Sequence, residues 1–296
     1  DTTFAGGVAV TGDYSSATSG TSNLRLGVNA GNSIASGGNE NVVVGDEAGT
    51  AITTGDYNVA VGYQALKTED AHGGNVAIGR KALETLNAGQ NAYNTAIGYN
   101  SGRYVTTGTN NTLIGGESGD AITTGGDNVA VGYTAFGANT TGASNVALGA
   151  FALDANTTAS NNTAVGTSSL GSNTTGAGNT GIGRVALLAN TTGADNVALG
   201  YRALNANTTA NNNTAVGKDA GLSVTTGTNN TLIGGLAGDA ITTGDNNVAL
   251  GYEALTANTV GDRSTALGNY ALKSQNPSSN ADMYNVAIGH NAGGDV

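Results

Sequence analysis

Residues 196–212 read Asn-Val-Ala-Leu-Gly-Tyr-Arg-Ala-Leu-Asn-Ala-Asn-Thr-Thr-Ala-Asn-Asn, and variants of this segment recur along most of the chain. Fifteen of the sixteen repeats open with Asn, and the other opens with Ser264. Each repeat continues with three mostly β-branched, aliphatic or alanine residues and reaches a closing glycine. The closing glycines are Gly27, Gly45, Gly62, Gly79, Gly98, Gly115, Gly132, Gly149, Gly166, Gly183, Gly200, Gly217, Gly234, Gly251, Gly268 and Gly289. Twelve of the fifteen intervals are 17 residues, and the others are 18, 19 and 21. Such a fixed period indicates a repeat architecture.

The composition excludes the two common alternatives for a low-complexity chain. The 296 residues include 49 Gly but only 1 Pro, whereas a collagen helix needs abundant proline and a strict three-residue period. Hydrophobic residues make up 38% of the chain, more than is typical of a disordered protein. A β-rich repeat protein remains.

The repeat unit fits one turn of a solenoid. Its β-branched and alanine run favours a strand, and its Gly and Asn residues favour turns. Seventeen residues are too few for a strand, a crossover helix and a return. We therefore predict an all-β fold, a parallel β-solenoid or β-roll of about sixteen 17-residue coils, each with two short strands and two bends. Coils stacked at the usual strand spacing would form a rod roughly 75 Å long.

Bulky residues alternate between two places in the repeat. Most units have Leu or Phe four residues after the closing glycine, at Leu66, Leu83, Phe136, Leu153, Leu170, Leu187, Leu204, Leu255 and Leu272. Six complete units have Gly there, at Gly31, Gly49, Gly102, Gly119, Gly221 and Gly238. Those six have Ile or Val three residues later, at Ile34, Ile52, Val105, Ile122, Val224 and Ile241. Because interiors are close-packed, this exchange predicts one interior volume per coil, filled once.

The asparagine that opens each unit is predicted to form a ladder with amide hydrogen bonds from coil to coil. Its clearest members are Asn111, Asn128, Asn145, Asn162, Asn179, Asn196 and Asn213. We assign them a structural rather than a catalytic role.

The strand before the closing glycine is apolar or small on both faces, because Val197 and Leu199 alternate with Ala198. A strand with one face in water should instead alternate apolar and polar residues. We therefore expect a homo-oligomer, with a homotrimer around a central axis favoured and a wide monomeric solenoid as the alternative.

The chain divides into an N-terminal hairpin or neck at residues 1–22 and a solenoid shaft at residues 23–296. The shaft ends within its last coil, and no terminal cap is visible, so we expect the full protein to continue beyond Val296. Residues 94–142 and 213–261 are similar at a shift of seven 17-residue units, which indicates duplication of a block of coils.

Charge and hydropathy argue against two kinds of partner. The net charge of −11 provides no basic cluster for nucleic acid, and no apolar run reaches the roughly 20 residues of a membrane helix. We predict no nucleic-acid binding and no membrane insertion for this segment.

No arrangement typical of an enzyme is found, so neither catalytic activity nor a cofactor is predicted. His72 and His290 are distant and lack partners at ligand spacing, so no metal site is expected. The acidic residues Glu47, Glu117, Asp219 and Glu253 fall in variable positions, where solvated surface is the expected environment. Asn-Thr-Thr glycosylation sequons begin at Asn139, Asn156, Asn173, Asn190 and Asn207, and there we favour a structural turn.

One variable position suggests a binding surface. The residue after the closing glycine is Tyr in five units: Tyr63, Tyr99, Tyr133, Tyr201 and Tyr252. A ridge of aromatic rings could contact a cell-surface glycan or protein, although rings that pack on neighbouring coils are the simpler interpretation. Adjacent Thr pairs such as Thr208-Thr209 raise ice binding as another function, but neighbouring residues of a strand face opposite sides.

The strings at Asn162–Gly166, Asn196–Leu204 and Asn111–Gly116 resemble repeats of long tail fibres from marine and cyanobacterial phages. Val76-Ala77-Ile78-Gly79 is similar to the head repeat of YadA-like trimeric autotransporter adhesins. Both resemblances imply a trimeric parallel β-roll, on a virion or a cell surface, that attaches to a host or target cell. The 17-residue period differs from the shorter adhesin unit. We therefore expect a virion tail-fibre shaft, with a bacterial surface adhesin and an ice-binding solenoid as alternatives.

Overall fold

A computed structural model describes residues 20–294, which form a parallel β-solenoid of sixteen three-residue strands and intervening turns, without a helix in that range. The strands are β1 (Leu24–Leu26), β2 (Val42–Val44), β3 (Val59–Val61), β4 (Val76–Ile78), β5 (Thr95–Ile97), β6 (Thr112–Ile114), β7 (Val129–Val131), β8 (Val146–Leu148), β9 (Thr163–Val165), β10 (Thr180–Ile182), β11 (Val197–Leu199), β12 (Thr214–Val216), β13 (Thr231–Ile233), β14 (Val248–Leu250), β15 (Thr265–Leu267) and β16 (Val286–Ile288). The predicted class and the number of coils are confirmed. Of the N-terminal segment predicted at residues 1–22, residues 1–19 lie outside the described part.

All sixteen strands form one parallel sheet in which each strand pairs with the next along the chain. Equivalent residues are always opposite each other, as in Val197 with Thr214. The longer intervals do not disturb this register, since Thr265 still pairs with Val286 across the 21-residue unit. The extra residues therefore lie in the turns.

Each coil has one strand rather than the two that we predicted. On the opposite side, the second and fourth residues after the closing glycine adopt left-handed conformations, as in Arg202 (φ 59°) and Leu204 (φ 49°). These conformations bend the chain at alternate residues and prevent an extended strand. Coil-to-coil hydrogen bonds persist there, because the Leu204 N–H donates to the Ala220 carbonyl at 3.0 Å.

The closing glycine is required by its backbone conformation and by close packing. Gly200 has a φ of 139°, and a Cβ there would lie 2.4 Å from the carbonyl oxygen of Gly217 in the next coil. The same contact recurs from coil to coil, which explains why the repeat is marked by glycine.

The interior lies between the strand and the turns and is made of small side chains with one bulky group per coil. Ala198 in the strand, and Ala203 and Leu204 in the turns, are fully buried. In the six units with Gly four residues after the closing glycine, the Ile or Val three residues later is buried instead. The predicted exchange of the bulky residue between two interior positions is therefore confirmed. The interior differs from the prediction in one respect, because the wall opposite the strand consists of turns and not of a second strand.

The structure adds a third position to this exchange. A Cβ on Gly102 or Gly119 would lie 2.7 Å from a methyl carbon of Leu113, the middle residue of β6. A Cβ on Gly31 or Gly49 would likewise lie close to a methyl carbon of Val43. A Cβ on Gly221 or Gly238 would lie close to a methyl carbon of Leu232. The glycines thus make room for three of the four larger residues that replace the usual mid-strand alanine; the fourth is Arg25 in β1.

Candidate functional site

The outer face of the sheet carries one row of aliphatic side chains along the whole rod. The third residue of every strand is Val, Ile or Leu and points away from the interior, opposite to the buried middle residue. Ile114, Leu148 and Leu199 in this row are 36–39% exposed. The first residue of each strand, which is Val, Thr or Leu, lies on the same face. We call these two rows the outer stripe.

The five tyrosines of the predicted row, the tyrosine ridge, are all exposed at the corner where the chain leaves the strand. Their exposed fractions range from 40% for Tyr201 to 55% for Tyr133. Some of the rings stack with arginines, because the Arg80 guanidinium lies 5.7 Å from the Tyr63 ring and 5.4 Å from the Tyr99 ring. Cation–π stacking holds such rings in place at a surface.

Two ridge tyrosines pack against neighbouring coils. Tyr133 meets Phe151 edge to face at 5.6 Å, and Tyr252 meets Tyr270 at 5.7 Å. Each ring also lies over a glycine of the preceding coil, since a Cβ on Gly116 would be 3.5 Å from Tyr133. The exposure of the rings supports a binding surface, and their position over the turns supports a packing role. Both interpretations of the tyrosine ridge thus retain support.

The opening asparagines form a buried row along the rod, the first asparagine ladder. In each step the main-chain N–H of one asparagine donates to the Oδ1 of the preceding one, as from Asn179 to Asn162 at 2.9 Å. The seven asparagines that we singled out take part in it: Asn111, Asn128, Asn145, Asn162, Asn179, Asn196 and Asn213. Their amides also donate to main-chain carbonyls, which gives these side chains a structural role.

A second asparagine ladder was not predicted from the sequence. It consists of the five sequon asparagines, Asn139, Asn156, Asn173, Asn190 and Asn207, all fully buried. From Asn156 onward, each Nδ2 donates to the Oδ1 of the preceding member at 2.7–3.0 Å. The signal was present in the sequence, since these residues occupy the interior position that is Ile or Val in other coils. Burial makes these amides inaccessible to glycosylation in the folded chain.

The threonine pairs are divided between two environments. The first Thr of each pair donates its hydroxyl to a main-chain carbonyl of the next coil, as from Thr191 to Thr208 at 3.1 Å. The second, such as Thr209, is exposed. The pairs therefore present one exposed row of hydroxyls and not a plane of them.

One acidic residue differs from expectation. Asp219 is only 5% exposed, with Arg202 Nε 3.4 Å away, so its predicted solvated environment is wrong.

Glu47 is partly buried and bonded to Lys67 and Gln64, whose hydrogen bonds lower its pKa. Asp120 and Asp154 have a raised pKa because burial penalises their charged form.

His72 also departs from its prediction, because it does have partners at ligand distance. Its Nδ1 lies 3.5 Å from Glu69 Oε1 and 3.9 Å from Asp70 Oδ1. Glu69 is fully buried, and burial raises its pKa, an effect partly opposed by the main-chain N–H dipoles of Ala88 and His72. The spacing Glu69-Asp70-x-His72 was the available signal. The imidazole of His290 meets the Tyr270 ring edge to face at 5.6 Å.

These features define a class of protein, a parallel β-solenoid rod with an apolar outer stripe and an aromatic ridge. Comparison of the chain with family models, with curated proteins and with solved structures found no match. Among the residues that the structure describes, no helix combines the length and hydropathy of a membrane span.

Proposed function

We propose that this chain forms the shaft of an extracellular fibre, as a homotrimer, and that the fibre is a virion tail fibre. The observation that carries the proposal is the outer stripe, which is aliphatic in the third strand position of all sixteen coils. A protein that worked as a monomer would leave this stripe in water, and long exposed apolar patches typically mark interaction sites.

The size of the stripe fits an interface between copies. Sixteen strands at about 4.8 Å spacing and three residues at about 3.3 Å rise give a surface of roughly 70 by 10 Å. That area is close to the roughly 800 Å² per partner of a standard stable interface. Its length matches the length of the rod, so other copies of the same chain in the same orientation would contact it along its whole length. The threefold symmetry rests on the resemblance to fibre and adhesin repeats.

Light scattering tests the assembly. We expect a mass near three times the 28.8 kDa chain mass. The double substitution Ile182→Lys and Leu199→Lys places two charges on paired strands of the stripe and should give a folded monomer. Thr192→Lys, on the exposed turn side, is the control and should leave the mass unchanged. A wild-type monomer would overturn the proposal.

Single cysteines give a second measurement if the lysine variant fails to fold. The chain has no cysteine of its own, so each introduced thiol is unique. Oxidation should link copies of the Leu199→Cys variant, because equivalent residues meet near the axis of a parallel trimer. Oxidation should leave Thr192→Cys unlinked. Equal linkage of both variants would contradict an interface on the stripe.

We further propose that the tyrosine ridge contacts a glycan or protein on the host cell. Exposed rings are suited to stack on sugars or to anchor a partner. Neighbouring arginines hold Tyr63, Tyr99 and Tyr201 in place. In a cell-adsorption assay with labelled rods, Tyr133→Ala with Tyr201→Ala should reduce retention on susceptible cells. Unchanged adsorption would leave the ridge with a packing role only.

A bacterial surface adhesin of the YadA-like type is the second candidate, supported by the Val-Ala-Ile-Gly string at residues 76–79. An adhesin and a tail fibre would differ in the rest of the protein, since an adhesin needs a membrane anchor whereas a fibre needs a tip or chaperone domain.

Ice binding is the third candidate and has less support, because the Thr-Thr pairs expose a single row of threonines. A thermal-hysteresis assay distinguishes an ice-binding protein from a fibre shaft. A positive result in that assay would contradict the fibre proposal.

A further inference from the structure

Glu69 is a buried carboxylate in an otherwise uncharged interior row. It lies seven residues after its closing glycine, a position occupied by Ile52 in the preceding coil and by Leu86 in the next. All three side chains are fully buried. A buried carboxylate is costly unless it is paired, protonated or bound to a metal ion. The location of Glu69 therefore calls for a partner.

A structural cap explains only part of this arrangement. Glu69 Oε1 accepts the main-chain N–H of His72 at 3.3 Å, as Asn139 Oδ1 accepts that of Gly142 at 3.1 Å. A neutral asparagine makes this cap in other coils, so the cap does not require a carboxylate. The Ala88 main-chain N–H interacts with the Glu69 carboxylate, but neither Glu69 Oε2 nor His72 Nδ1, both buried, has a partner that meets the distance and angle of a hydrogen bond among the described residues.

The three side chains are arranged as ligands of one ion. The ligand atoms of Glu69, Asp70 and His72 lie within 4.8 Å of one another, with His72 Nδ1 3.5 Å from Glu69 Oε1. Tetrahedral Zn²⁺ with bonds of about 2.0–2.1 Å separates its ligand atoms by about 3.4 Å. The pair His72 Nδ1 and Glu69 Oε1, at 3.5 Å, is close to that separation, and Asp70 Oδ1 lies 3.9 Å from the same nitrogen.

The chemistry of the ligands selects among divalent ions. Imidazole nitrogen with carboxylate oxygen is a common zinc set, whereas Ca²⁺ requires six to eight oxygen ligands. The Asp70 side chain is 47% exposed and that of His72 is 28% exposed, so water can complete the shell. We propose that Glu69, Asp70 and His72 bind one Zn²⁺ per chain and tie this turn of the solenoid together.

Calorimetric titration of the full chain with ZnCl₂ tests the site. We expect one Zn²⁺ per chain, and at least about tenfold weaker binding in Glu69→Asn and in His72→Ala, because each loses a ligand. His290→Asn removes the other histidine of the chain and should bind like the wild type. CaCl₂ should give no binding at the same concentrations.

Glu69→Asn is also a control for folding, because it introduces the residue found at this position in Asn139 and Asn156. Without zinc it should melt at or above the wild-type temperature. Added Zn²⁺ should raise the melting temperature of the wild type but not that of Glu69→Asn. The proposal is overturned by a wild type that does not bind zinc, or by Glu69→Asn and His72→Ala variants that bind it equally well.

Discussion

Three of the hydrogen bonds of Asn162 involve its side chain or the side chain of Asn145, and they hold its own coil together and join it to both neighbours. Its main-chain N–H donates to Asn145 Oδ1 at 2.9 Å, and its Oδ1 accepts the Asn179 N–H at 2.9 Å. Its Nδ2 donates to the Gly176 carbonyl at 3.0 Å, within the same coil. The side chain is fully buried, so water cannot replace these partners.

Substitution Asn162→Ala should therefore be strongly destabilising. It leaves the Asn179 N–H buried without a partner, at roughly 1–3 kcal/mol. The Gly176 carbonyl loses one of two donors and keeps the bond from Asn173 Nδ2 at 2.9 Å. We expect the free energy of unfolding, measured by urea denaturation, to fall by about 1–4 kcal/mol. The control is Asn161→Gly, since Asn161 is exposed and its φ of 63° suits glycine. Similar losses in both variants would contradict the role assigned to the ladder.

At the level of one coil, the glycines around Leu113 show how the interior volume is shared. A Cβ on Gly119 would lie 2.7 Å from Leu113 Cδ2 and 2.9 Å from Ile122 Cδ1. Its φ of +57° adds backbone strain for any other residue. A side chain at this position is possible only when the mid-strand residue is small, as in the coils that have Ala there.

Gly119→Ala should lower the free energy of unfolding by about 1–3 kcal/mol through overpacking. Combination with Leu113→Ala should cost less than the sum of the two single substitutions, by at least about 0.5 kcal/mol, because the closer of the two contacts, with Leu113, is gone. Gly89→Ala is the control for backbone strain alone, since Gly89 has a φ of +68° and a Cβ added there would meet no atom within 4 Å. Strict additivity would show that Leu113 does not restrict Gly119.

The whole molecule behaves as a stack of interchangeable coils, because each strand pairs in register with the next. Deletion of residues 162–178 removes one complete 17-residue unit and places Asn179 where Asn162 had been. We expect the shortened chain to keep its β-sheet circular dichroism and to form a rod about 4.8 Å shorter. Thermal unfolding should shift only slightly, since nearest-neighbour contacts are retained.

The matched control deletes residues 162–179, one residue more. It creates a 16-residue coil, shorter than any interval in the chain, and removes a member of the first asparagine ladder. A shift of one residue also exchanges the inner and outer faces of a strand. This variant should lose cooperative unfolding or aggregate, and equal stability of the two deletions would contradict the 17-residue coil as the structural unit.

Much of this architecture was predictable because a solenoid repeats its local rules. The period indicated the number of coils, and the exchange between Leu204-type and Val224-type positions identified the interior. The outline of the coil was not predictable, because left-handed conformations at residues such as Arg202 and Leu204 are unusual for non-glycine residues and leave no pattern in composition. Local propensity therefore suggested a second strand where the chain makes turns.

The sequence by itself determined the period, the parallel stacking and the apolar character of both strand faces, since these follow from side-chain alternation. Only the tertiary structure decided which polar residues are interior. Asn139 and its equivalents have the sequence context of turn residues, yet stacking of the coils buries them in a second ladder. Glu69 and His72 come together for the same reason, because burial and contact depend on how one coil lies against the next.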